Sequence, residues 1–68
     1  MQVQLNGQSI LLPHSQTLAI FLKERSIEQQ TAGIAVAVNG QIVFRPDWVS
    51  TKVKEGDQIE IVHAVSGG

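Results

Sequence analysis

Gln2-Val3-Gln4-Leu5-Asn6-Gly7-Gln8-Ser9-Ile10-Leu11-Leu12 is the stretch whose reading decides the fold. Val3 and Leu5 alternate with Gln2, Gln4 and Asn6, the period-two pattern of a strand with one buried face. Asn6-Gly7 is the strongest short hairpin signal, because both turn positions accept positive φ. Gln8 to Leu12 then reads as the returning strand, with Ile10 and Leu12 on one side. Pro13, which has no N–H to give a ladder, ends it. The chain thus opens as a β-hairpin whose apolar face needs a cover.

The next segment supplies one. Leu18, Phe21 and Leu22 recur at helical spacing. Thr17 is the predicted N-cap, with Ser15 as the alternative. Lys23 and Arg25 suit the negative end of a helix dipole. The predicted helix runs over about residues 17–26, and 28–33 reads as a loop. Ile34 to Val38 alternates β-branched residues with alanine, Asn39-Gly40 makes a second tight turn, and Gln41 to Phe44 continues as a strand. Arg45 to Trp48 predicts one helical turn and Lys54 to Asp57 a chain reversal. Gln58 to Val65 is the last strand, with Ile59 and Ile61 facing in.

The order is strand, strand, helix, strand, strand, short turn, strand. One helix must cover one face of one mixed sheet, an α+β architecture, and right-handed crossover returns the chain to that sheet. The order matches the β-grasp, or ubiquitin-like, fold. Residues 1–65 form the expected domain, with 66–68 as a flexible tail.

Composition limits the chemistry. A 68-residue chain makes one domain at most, and 43% hydrophobic content supplies a small aliphatic core. There is no cysteine, hence no disulfide, thiolate metal site or cysteine nucleophile, and this fits a reducing, cytoplasmic setting. The start lacks a basic region followed by an apolar run, so no signal peptide is expected. Apolar runs such as Ile34 to Val38 are far too short to cross a bilayer. A net charge of −1 with thinly spread cations argues against nucleic acid as a partner.

No catalytic constellation stands out, and no metal site is expected. His14 and His63 lie far apart, His14 in an exposed loop and His63 in phase with Ile59 and Ile61 near a strand end. Gly40 and Gly56 read as turn residues. Trp48 is expected in a satellite cluster under its own turn, with a partner hot spot as the other reading. The outer sheet face is unusual: Ala35, Ala37, Val62 and Ala64 are out of phase with the core, where a solvated face should be polar. They form either scattered surface apolar residues or a partner patch.

The chain ends in Ser66-Gly67-Gly68. Such an end is either a terminus without a role or a probe. Glycine lets the backbone approach another surface closely, so a narrow channel admits Gly67-Gly68 and rejects a branched residue. Four extended residues from Val65 reach roughly 13–14 Å.

Specific residues then carry a resemblance over the whole length: the Asn6-Gly7 turn, Gln16-Thr17-Leu18, Val38-Asn39-Gly40, Val43-Phe44-Arg45 with Trp48, Glu55-Gly56-Asp57, Glu60-Ile61-Val62 and Gly67-Gly68. The chain resembles the thiamine-biosynthesis sulfur carriers, the ThiS family. Phe44 stands where that family commonly has proline, and Ser66 where alanine or glycine is common. The resemblance implies a protein cosubstrate, not an enzyme, with no bound cofactor. An E1-like adenylating enzyme (ThiF-like) would use ATP and Mg²⁺ to convert the Gly68 carboxylate to a glycyl adenylate. Sulfur from a donor such as a cysteine desulfurase system would then leave 1-thioglycine there. Thiazole synthase (ThiG-like) would take that sulfur. Ser66 and Gly67 would lie in the partner's channel. Two alternatives are a molybdopterin sulfur carrier and a β-grasp binding module without C-terminal chemistry.

Overall fold

A computed structural model describes residues 1–25 and 34–63. β1 (Gln2–Leu5) and β2 (Gln8–Leu11) pair antiparallel, Val3 opposite Ile10. Asn6 and Gly7 between them have φ of 50° and 83°, the two positive values that a type I′ turn demands. The second hairpin repeats this design. β4 (Ile34–Val38) and β5 (Gln41–Val43) are joined by Asn39 at φ 52° and Gly40 at φ 84°.

β7 (Gln58–His63) unites the hairpins. It runs parallel to β1 and antiparallel to β4, so the five-stranded mixed sheet has the order β2-β1-β7-β4-β5. Two short strands sit apart, β3 (Gln16–Thr17) against β6 (Lys52–Val53). Each is only two residues long, too short for an alternation to be visible in sequence.

α1 (Leu18–Glu24) is shorter than the predicted 17–26. Thr17 cannot be helical, because it pairs with Lys52. It caps instead, its Oγ1 accepting from the Ile20 amide at 3.2 Å. The first helical donors are met by carbonyls from the turn beneath: Leu18 N–H donates to Thr51 O at 2.7 Å and Ala19 N–H to Trp48 O at 3.1 Å. At the other end Arg25 leaves helical geometry (φ −100°, ψ 10°), and its guanidinium covers the Phe21 ring at 4.0 Å. Residue 26 and the loop predicted for 28–33 lie outside the described residues.

Leu18, Phe21 and Leu22 enter one core with Val3, Leu12, Val36, Trp48, Val53 and Ile59. Each buried aliphatic or aromatic side chain stabilises the fold by about 1.5–3 kcal/mol. Trp48 corrects an expectation: only 4% exposed, it belongs to this main core and not to a satellite cluster. Its Nε1–H donates to Val43 O at 2.9 Å, which satisfies the indole inside the apolar cluster.

Two strand ends also differ from expectation. β2 stops at Leu11, although Leu12 N–H still donates to Met1 O at 2.7 Å. Phe44 is not part of β5 but precedes a 3-10 turn over Arg45–Asp47. Pro46 inside that turn presets its φ. The final strand begins at Gln58 as predicted, and its expected last residues, Ala64 and Val65, fall outside the described chain.

Candidate docking face and tail root

β7 is the last described element before residues 64–68 of the sequence, and it lies in the middle of the sheet. Side-chain amides from both hairpin turns hold it. Asn39 Oδ1 accepts from the Gln58 amide at 2.9 Å, at the start of β7. Asn39 Nδ2 donates to Asp57 Oδ1, also at 2.9 Å. The other carboxylate oxygen of Asp57 accepts from the Lys54 amide at 2.7 Å. Asp57 is buried, and both of its oxygens are thus engaged. Further along, Asn6 Oδ1 accepts from the Ile61 amide at 2.8 Å.

The reversal before β7 is fastened to β1. Gly56 N–H donates to Gln2 O at 2.7 Å, Gln4 N–H to Asp57 O at 2.9 Å, and Gln2 N–H to Glu55 Oε1 at 2.9 Å. Gly56 has φ 83°, which a side chain would resist. Asn6, Asn39, Glu55, Gly56 and Asp57 are therefore a frame around β7. Sequence reading found Asn6 and Asn39 as turn formers but missed what their amides do.

The helix packs on the sheet face that carries Val3, Val36 and Ile59. On the opposite face Ala35 sits across from Val62, and Ala37 lies between Glu60 and Ile42. Directly opposed residues bring their Cβ atoms to about 4.5–5.5 Å. Ala35 is exposed and Ala37 partly so; Val62 is 61% exposed. Ile42, 60% exposed, extends this patch and was missed, although its phase opposite to Val43 was readable. Phe44, 69% exposed, follows one residue beyond β5.

The small residues of β4, Ala35 and Ala37, lie between Val62 on β7 and Ile42 on β5. The other half of this face is polar, with Gln2, Gln4, Ser9 and Gln58. Leu11 stands apart at the far edge, opposite Gln2. The apolar residues are thus concentrated on one half of the face.

Ala64, Ser66, Gly67 and Gly68 lie outside the described residues. His14 is exposed. His63 ends β7 opposite Ile34. Among the described residues no His, Asp and Glu side chains gather in a group of three able to hold a metal ion. No helix among them is long and apolar enough to cross a membrane.

A mixed five-strand sheet in this order, with one helix across one face, defines a ubiquitin-like β-grasp protein. The ThiS family model matches residues 3–68. The chain is 37% identical to the sulfur carrier protein ThiS of Escherichia coli K12, and the alignment covers 100% of both chains. Among solved structures it is similar to the crystal structure of the thiamine biosynthesis protein ThiS from Geobacter metallireducens. That match has a TM-score of 0.87 and 26% identity, and it covers 100% of both chains. The solution structure of a thiamine biosynthesis protein from the same organism matches with a TM-score of 0.75 and 26% identity, covering 100% of this chain and 88% of that one. The chain belongs to the ThiS family. It is a small carrier protein and not an enzyme.

Proposed function

We propose that this carrier takes up sulfur for thiamine biosynthesis as a thiocarboxylate on Gly68 and delivers it to a thiazole synthase (ThiG-like). The family match running through Gly67 and Gly68 is the observation that carries the reading. A carboxylate is a poor electrophile. An E1-like adenylating partner (ThiF-like) therefore joins it to AMP from Mg·ATP, releasing pyrophosphate. The mixed anhydride then has a good leaving group. Hydrosulfide displaces AMP to leave the thiocarboxylate directly. A persulfide on a donor such as a cysteine desulfurase displaces AMP to give an acyl disulfide. A second thiol then attacks the donor's sulfur, forming a disulfide with it and releasing the thiocarboxylate. The carrier itself binds neither nucleotide nor metal.

In this reading residues 66–68 are a tail beyond the folded domain. Ser66 and Gly67 enter the partner's channel because they are small. The body docks outside through Ala35, Ala37, Val62 and Ala64. The exposed Val62 and Ile42 flanking Ala35 and Ala37 support that role, since burying them removes apolar surface from water. The setting is the cytoplasm.

The test is ATP–pyrophosphate exchange with the adenylating partner, followed by mass spectrometry of the product. The native carrier is expected to support exchange and, with a sulfur donor, to replace one oxygen by sulfur. One residue added after Gly68 shifts the carboxylate by about 3.3–3.6 Å and should abolish exchange without changing the melting point. Val62→Asp should weaken docking by desolvating a charge while leaving the fold intact. Untrimmed extended protein that is adenylated at the native rate refutes the reading.

A further inference from the structure

We propose that Asn6 is a positioning residue for the tail: its side-chain amide stands in for a missing length of strand and sets the direction in which β7 leaves the sheet. This rests on the carrier reading above. β7 is supported unequally on its two flanks. On one side β4 pairs with it as far as Ile34 opposite His63. On the other, β1 pairs only through Gln4 with Gln58 and Leu5 with Ile59, and then turns away. The Asn6 backbone continues the ladder, its N–H donating to Ile59 O at 2.8 Å. The next rung has no backbone partner on that flank. The side chain provides it, Asn6 Oδ1 accepting from the Ile61 amide at 2.8 Å.

The hairpin alone does not require this side chain. Position 6 needs a residue that tolerates φ of 50°, and glycine meets that need as well as asparagine. What distinguishes asparagine is an acceptor on a short arm, and that acceptor is spent on β7. The bond is solvent-exposed, so water can replace it and its loss costs the fold little. Its value lies in aim. Five residues, Ala64 to Gly68, follow the last residue of β7. Fully extended they reach about 17 Å. Held extended in the partner's channel they leave little slack, so a change of direction at the root has to be absorbed within a few bonds of the reacting carboxylate. Displacement of 1 Å at a reacting centre can cost about 100-fold in rate. With the body docked through its outer face, the root direction decides where the carboxylate arrives.

The experiment compares the native chain with Asn6→Gly and Asn6→Asp. Both variants permit the turn; only the aspartate keeps the acceptor. Three quantities are read: hydrogen exchange at the Ile61 amide, the melting temperature, and kcat and KM of adenylation with the carrier as varied substrate. Asn6→Gly is expected to lose protection at Ile61, to melt within about 5 °C of native, and to lower kcat about tenfold with KM within about twofold. Asn6→Asp should restore all three. Native kcat or native Ile61 protection in Asn6→Gly overturns the proposal. So does a loss that appears wholly in KM or melting, or an Asn6→Asp protein that behaves like Asn6→Gly. A native protein that is not adenylated at all overturns the carrier reading and the positioning role together. Native activity with an unimpaired glycine variant overturns only the latter.

Discussion

The two Asn-Gly turns have the same sequence and nearly the same backbone, yet their asparagines bear different loads. Asn6 and Asn39 have φ of 50° and 52°, and their glycines 83° and 84°. Asn39 uses both ends of its amide, accepting from Gln58 and donating to the buried Asp57. Asn6 makes one exposed side-chain bond, to Ile61. One turn therefore ties the exposed beginning of β7 to the buried Asp57, and the other steadies its later part at the surface. Identical local chemistry acquires different weight from what the sheet brings alongside it. An unmade buried hydrogen bond costs far more than an exposed one.

That contrast can be broken experimentally, and the largest effect is expected at Asp57. Asp57→Ala leaves Asn39 Nδ2 and the Lys54 amide without their acceptor. The loss should be about 2–4 kcal/mol, read as a lower urea midpoint at unchanged m. Asn39→Gly keeps the turn but removes both amide bonds, and should cost about 1–3 kcal/mol. If it costs no more than Asn6→Gly, the asymmetry between the turns is wrong. The smallest change is expected at Gln16. This buried side chain has an Oε1 with no hydrogen-bond partner among the described residues. Gln16→Met removes that orphan at similar volume, so stability should stay within about 1 kcal/mol or rise. A large loss would mean that Gln16, like Asp57, has partners that matter.

The local signals were legible. Asn-Gly between alternating residues gave both hairpins, and Thr17 before Leu18, Phe21 and Leu22 gave the helix. Its phase against Val36, Ile59 and Ile61 also set Ala35, Ala37 and Val62 on the opposite face. What stayed hidden depends on contacts between distant segments. β3 and β6 are two residues each and exist because Gln16 meets Val53. Trp48 looked peripheral because its turn is short and polar; its burial depends on the helix start that lies over it. The second task of Asn6 and Asn39 needs the register of β7, which no nearby residue states. Ile42 is the exception, a patch residue that alternation with Val43 would have revealed.

The place of β7 in the sheet has a consequence for biogenesis. The central strand follows both hairpins in synthesis, and it joins Gln4 to Gln58 across most of the chain. β1–β2 and β4–β5 can each close early, since hairpins form on a scale of about 1–10 μs. Neither can pair with the other until residues 58–63 arrive between them. Isolated two-stranded hairpins are marginal in water. The two half-sheets with open inner edges are therefore marginal until β7 joins them, and the long sequence separation between Gln4 and Gln58 makes that joining the slow step. The segment that leads to Gly67-Gly68 is thus also the one whose arrival completes folding, so under the proposed carrier chemistry the body matures only together with the strand that precedes its reacting carboxylate.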